Sequence, residues 1–143
     1  MADRQVIADF ARSMAISTSG LRAQAGRMRV ISENIANADS TAATAGGDPY
    51  RRKVPTFSSA LDRDLDARVV AMGKIRPDQT AFRVKHEPSN PAADAAGNVK
   101  YPNVNPLVEM TDMREAQRSY EANINIISAT RRMISLTLNI LKA

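Results

Sequence analysis

The run SGLRAQAGRMRVISENIANADST, residues 19–41, decides how this chain is read. Its apolar residues continue a seven-residue step that begins upstream, at Ile7, Met14, Leu21, Met28 and Ile35. Phe10 and Ile31 extend the stripe at i+3, and Ala11, Thr18, Ala25 and Ser32 fill the i+4 column. A narrow seam of this kind, sustained from Ile7 to Ile35, predicts a long helix that pairs in coiled-coil fashion. Gly20 and Gly26 weaken that helix by about 1 kcal/mol each relative to Ala, and they allow a neighbouring backbone to come close. The periodicity then halts at Asn34-Ile35-Ala36-Asn37. Asn37 is expected to end the helix in the left-handed conformation. Asn34 is expected to hydrogen-bond the connecting loop and so hold the angle between helix and loop.

The C-terminal run repeats the device with Met113, Tyr120, Ile127, Ile134 and Leu141. Ile124 and Leu138 form a second column, and Ile126, Met133 and Ile140 a third. This stripe is wider than one partner helix needs. A helix over 107–143 would be roughly 56 Å long at 1.5 Å per residue, more than a single small domain covers. The row Gln117, Ile124, Arg131, Leu138 alternates polar and apolar residues, as an interface does. Thr111 or Asp112 is a candidate cap for a helix starting near 107–112.

Between the two helices the composition changes. All seven prolines lie in 41–106. YRRKVPTF (50–57) is strand-like, with Pro55 confining it to an edge. LDARVVAMGKI (65–75) and TAFRVKHE (80–87) hold short β-branched runs, and Arg76, Pro77, Asp78 and Gln79 between them predict a turn and hence a hairpin. SNPAADAAGNVKYPNVNP reads as a loop. The expected fold is mainly α with a small β insert. It has an N-terminal helix over 1–40, a β-rich or extended insert over 41–106 and a C-terminal helix over 107–143.

Composition supports an elongated helical protein over a compact enzyme. There is no Trp, and Phe10, Phe57, Phe82, Tyr50, Tyr101 and Tyr120 are the only aromatic residues. The net charge of +5 is spread along the chain, whereas a nucleic-acid binder concentrates its cations on one face. The absence of cysteine excludes disulfides, thiolate catalysis and Cys-based metal sites. No apolar stretch reaches the roughly 20 residues of a membrane span, and VIADFA, broken by Asp9, does not make a cleavable signal peptide.

Sites of chemistry are correspondingly few. Gly46-Gly47 before Arg51, Arg52 and Lys53 lacks the helix and the Lys-Ser/Thr spacing of a phosphate loop, so a solvated turn is the better reading. The RRK run could meet an anionic surface, make ion pairs between chains or sit in solvent. His86 is the single histidine and, with Glu87 and Asp94 nearby, makes a poor metal site. No nucleophile, base and orienting group can be assembled around it. Glu109, Asp112 and Glu115 suit the positive end of a helix. No catalytic, cofactor or metal residue is assigned.

The residues at both ends nevertheless carry a resemblance. Ser19-Gly20-Leu21-Arg22-Ala23, then Asn34-Ile35-Ala36-Asn37, then Thr41, resemble the N-terminal signature of bacterial flagellar rod, hook and hook-associated axial proteins. EMTDMREAQRSYEAN (109–123) is similar to that family's C-terminal block. The short length, STAATAGGDPYRRKVPTF and SNPAADAAGNVKYPNVN resemble the proximal-rod members. One departure is the insertion of Ala42 to Asp48 before Pro49-Tyr50. The motif positions carried over are Asn34, Asn37, Thr41, Tyr50, Arg51, Glu109, Met110, Tyr120 and Asn123. The resemblance implies a structural subunit of the basal-body rod in the periplasm, exported unfolded by the flagellar type III apparatus without a cleaved signal. It implies terminal helices that line the rod's inner tube. It also implies partners among other copies, other rod subunits and the base adaptor, without nucleic acid or membrane insertion. The apolar columns, Ile7 through Ile35 and Met113 through Leu141 with Ile124 and Leu138, are then the expected assembly interface. Three readings stay beside it: a different axial rod subunit, a small basic nucleic-acid-binding protein, and an enzyme, which lacks any catalytic constellation.

Overall fold

The computed structural model describes residues 2–142, with side chains described over 5–140. Two long helices, α1 (Ala2–Ala36) and α2 (Pro106–Lys142), flank six short strands. The strands form three separate antiparallel pairs, so the middle of the chain holds no continuous sheet.

The start of α2 lies earlier than a cap at Thr111 or Asp112 would put it. Asn105 Oδ1 accepts the Leu107 N–H at 3.1 Å, and the Asn105 carbonyl accepts the Glu109 N–H at 3.1 Å. Pro106 then sits at the first helical position, where its missing N–H is no loss and its φ is already helical. Thr111 instead donates to the Leu107 carbonyl from inside the helix, at 3.0 Å.

The end of α1 also departs from expectation. Asp66 is the only non-glycine with positive φ among the described residues, so Asn37 does not adopt the left-handed conformation. Its side chain does the capping: Asn37 Nδ2 donates to the Glu33 carbonyl at 2.8 Å. The last turn tightens through Ala38 N–H to the Ile35 carbonyl and Ser40 N–H to the Asn37 carbonyl, both 3.2 Å. The orphan carbonyls of the helix end are satisfied without a positive φ.

The strands pair locally. The expected hairpin of 65–75 with 80–87 is not formed. Strand β2 (Phe57–Asp62) pairs with β3 (Ala67–Met72), from Phe57↔Met72 to Asp62↔Ala67. The reason lies in the turn: Asp62 Oδ1 accepts the N–H groups of Asp64 (3.1 Å) and Leu65 (3.3 Å), and Asp66 takes φ 46°. An aspartate bonding forward to the backbone closes a tight turn. Strand β1 (Lys53–Val54) pairs with β4 (Arg76–Pro77), so the residues expected to turn form a short strand. Strand β5 (Arg83–His86) pairs with β6 (Asn98–Tyr101), a segment that reads as loop in the sequence. Asp94 Oδ1 organises the connection by accepting from Ala96 at 2.8 Å and Asn98 at 2.9 Å. Gly97, at φ 80°, makes the final turn, a conformation that favours glycine.

Two compact units result. One holds α1 up to Arg27, the β2–β3 hairpin with its flanks (57–73), and α2 from Glu115. Its buried side chains are small: Ser17, Ala23, Ala67, Ala116 and Thr130. The hairpin is tied down by Arg12 Nε to the Leu65 carbonyl (2.7 Å) and by the Val70 N–H to Ser19 Oγ (3.1 Å). The other unit holds 28–56 and 74–114. It buries larger aliphatic side chains, Val30, Ile31, Val99 and Val104, together with Asn34 and Glu109.

Candidate functional site

The second unit is organised around one side chain. Asn34, on the last turns of α1, is 1% exposed. Its Oδ1 accepts the Lys53 N–H at 2.9 Å and its Nδ2 donates to the Lys53 carbonyl at 2.8 Å. The amide therefore pairs with the backbone of β1 as a neighbouring strand would. Tyr50 Oη donates to the same Oδ1 at 2.8 Å, and Asn34 Nδ2 also donates to Glu109 Oε2 at 3.1 Å. An N–H can only donate and a carbonyl can only accept, so the network fixes the orientation of the amide.

Glu109 is fully buried and completes the joint. Its Oε1 accepts from Arg52 Nε at 2.6 Å. The same guanidinium reaches Asp78 at 3.4 Å and Asp112 at 3.8 Å. Burial opposes the Arg52 charge, but its bonds to Glu109 and Asp78 outweigh burial and raise its pKa. A buried carboxylate with a paired, hydrogen-bonded cation avoids the heavy cost of an uncompensated charge. Asn103 seals the next layer. Its Oδ1 accepts the Arg52 N–H at 2.8 Å, and its Nδ2 donates to Thr80 Oγ1 at 2.8 Å. Arg51 stacks 4.1 Å over Phe82. Lys53 Nζ meets Glu33 at 2.9 Å, and that bond and charge hold the Glu33 carboxyl below its usual range and raise Lys53. Burial pushes the Tyr50 hydroxyl up. Asp78 is lowered chiefly by the Thr80 N–H.

The carried-over motif residues thus fall into groups. Asn34, Tyr50 and Glu109 come together directly. Arg51 lies beside them on Phe82. Asn37 caps α1. Asn123 sits against Gly20, where an added Cβ would stand 2.9 Å from its amide; the neighbour at this glycine is a side chain, not a backbone. Thr41 and Met110 are exposed and Tyr120 is half-buried. The RRK cations are engaged within the chain, on Phe82, the carboxylates and Glu33, instead of lying free in solvent. His86 is exposed and contacts Asn98.

The helices present a second candidate surface. In the first unit α1 and α2 run antiparallel and meet at Ser13 with Thr130 (3.4 Å) and Arg27 with Glu115 (3.0 Å). These contacts lie one residue before the column Met14, Leu21, Met28, Ile35, which is half-buried, as are Met113, Tyr120, Ile127 and Ile134. Ile7, Ile124 and Leu138 are exposed, and the side chain of Leu141 lies outside the described residues. On α2, Ile126 (46%), Met133 (47%) and Ile140 (76%) stand in one uncovered column, with Leu136 alongside. Sequence reasoning missed Arg52, Asp78 and Asn103, and read Glu109 as a helix-end charge. The signal available was polar: a charge and an amide within a segment that buries its neighbours. Among the described residues, no group of three or more His, Cys, Asp or Glu is placed to hold a metal ion. No helix there is long and apolar enough to cross a membrane.

The chain thus joins two terminal helices and an insert through a buried amide and leaves apolar helix columns uncovered. Two family models match at its two ends: flagella basal body rod protein over residues 14–43, and flagellar basal body rod FlgEFG protein C-terminal over 95–140. The flagellar basal-body rod protein FlgC of Agrobacterium fabrum is 52% identical, over 90% of this chain and 92% of its own. Those of Bacillus subtilis and Aquifex aeolicus are 39% and 35% identical, each over 90% of this chain and 95% of their own. The chain belongs to the FlgC family of flagellar basal-body rod proteins.

Proposed function

We propose that the chain is a structural subunit of the flagellar basal-body rod that assembles through the uncovered faces of its terminal helices. Its relatives are named as rod proteins, which supports the structural role and association with other rod components. The observation that carries the assembly reading is the column Ile126, Met133, Ile140 beside Leu136, exposed on a helix whose neighbouring column, through Ala116 and Thr130, is buried. Covering each of those side chains contributes about 1.5–3 kcal/mol. The unit that bears them buries mainly Ala, Ser and Thr, so covering the column adds apolar burial that its own core supplies sparingly. Assembly then reinforces a helix pair that the chain already forms.

In this reading 1–40 and 107–143 are the axial helices, forming part of the drive shaft and the wall of the export channel, and 41–106 faces outward. The contacts are heterologous, as in any helical assembly, so the two sides of the chain use different residues. The partners are further copies, other rod subunits and the base adaptor. Delivery is by the flagellar type III export apparatus, without a cleaved signal, to the periplasmic basal body. The nucleic-acid alternative is weakened by the RRK cations, which are engaged within the chain. Mass spectrometry of salt- and detergent-washed basal bodies from the source bacterium tests the proposal. The chain is expected at a fixed ratio to the other rod subunits; its absence from intact basal bodies would contradict it.

A further inference from the structure

The two helices meet through polar and small residues. In the first unit the Ser13 and Thr130 hydroxyls are 3.4 Å apart. Seven residues on, Gly20 lies against Asn123, and a Cβ there would stand 2.9 Å from both Nδ2 and Oδ1. In the second unit Asn34 meets Glu109 at 3.1 Å. Within the first unit, the step of seven along α1 from Ser13 to Gly20 is answered by the step of seven back along α2 from Thr130 to Asn123. The Asn123 side chain is held in place, because its Nδ2 donates to the Ser119 carbonyl at 2.8 Å.

We infer that Gly20 and Asn123 form a notch and a peg that fix the heptad register in which α1 and α2 pair. A seam of Ile and Leu alone repeats every seven residues, so each knob finds an equivalent hole after a slip of one heptad. A polar residue at a single layer removes that degeneracy. Slipping one way places Asn123 against Ser13, whose Cβ occupies the space that glycine leaves open, and sets Gly20 opposite Ala116 with a gap between them. Slipping the other way places Asn123 against the larger Arg27 and sets Gly20 opposite Thr130. The register matters beyond the pair, since it sets how far the end of each helix extends past the other. The inference stands on the contacts within the chain and does not depend on the proposed assembly.

Gly20→Ala gives the test a clear sign. On helix propensity alone it strengthens α1; against the peg it disrupts pairing. The chain has no cysteine, so introduced pairs report register directly. Ser13→Cys with Thr130→Cys reads the observed register, and Ser13→Cys with Thr137→Cys reads a slip of one heptad. In the purified full-length chain under mild oxidation, the first pair is expected to cross-link and the second not. Adding Gly20→Ala should remove most of the first cross-link; adding Asn123→Ala as well removes clash and peg together, so both pairs should then cross-link. In the chain that keeps Gly20 and Asn123, equal yields from the two pairs or no cross-link from either would overturn the inference, as would a first-pair yield untouched by Gly20→Ala. Incorporation of the cysteine-free Gly20→Ala chain into basal bodies, scored separately, reports on assembly and not on register.

Discussion

An asparagine side chain is a primary amide, and Asn34 uses it as a strand uses its backbone. One end accepts the Lys53 N–H and the other donates to the Lys53 carbonyl, so a helix terminus and a strand are joined by a single residue. The sequence supports the expectation that Asn34 bonds the loop, since an amide at a helical stop has few other uses. Asn37 was harder to read, because asparagine ends helices by left-handed backbone or by side chain with equal ease, and here the side chain bonds Glu33. Glu109 was misjudged because a carboxylate near a helix start is usually solvated; its burial depends on Arg52, 57 residues away along the chain. Asn34→Ala should destabilise the fold by about 1–3 kcal/mol for each buried partner left unpaired. Asn34→Asp should be worse at neutral pH, because it replaces a donor with a second carboxylate beside Glu109. Like charges in one site raise a carboxyl pKa, and a raised folded value gives stability that is lost as pH rises. The gap between the two variants should therefore narrow as pH is lowered, which urea melts at several pH values would measure. A gap that widens on acidification would contradict this electrostatic account.

At the scale of elements, the helices were legible and their seam was not. Apolar spacing locates α1 and α2 because long amphipathic helices repeat their pattern many times. The chain's own helix contacts fall on the adjacent column, Ser13, Gly20, Arg27 and Asn34, which a count of apolar residues passes over. The strands were harder still. Six short strands carry too few residues for periodicity to assign partners, and the β2–β3 pairing is decided by the Asp62 turn. The insert is tied down by exposed ion pairs, and these set an acid response. Lys53 lowers Glu33, and Lys100, 2.8 Å away, lowers Asp48, in each case first by hydrogen bond and then by charge. Carboxyls lowered in the folded state contribute stability above their unfolded values, near 4. That contribution is lost as pH falls through the lowered folded values. Thermal melts should hold steady from neutral pH down to about 5 and fall below about 4. Lys53→Met should flatten part of that fall, and an unchanged acid profile in that variant would remove the Lys53–Glu33 pair from the explanation.

The whole molecule shows an imbalance between what it buries and what it leaves bare. Its larger aliphatic core residues, Val30, Ile31, Val99 and Val104, belong to the unit around Asn34. The other unit buries mainly Ala, Ser and Thr and exposes Ile124, Ile126, Met133, Leu136, Leu138 and Ile140. Single exposed apolar residues need no explanation, but a contiguous column along one helix marks an interaction surface. That surface was visible in the sequence as a stripe wider than one partner requires. What lies against it was not, because helical spacing records that a face is covered without recording by what. The most direct measurement is of the double variant Ile126→Asp, Met133→Asp. Both positions are exposed, so the chain's own fold should melt within about 0.5 kcal/mol of the original, while the variant's amount in purified basal bodies should drop sharply at equal expression. Incorporation at the normal ratio, with motility intact, would contradict the claim that this chain enters the rod through the uncovered face of α2.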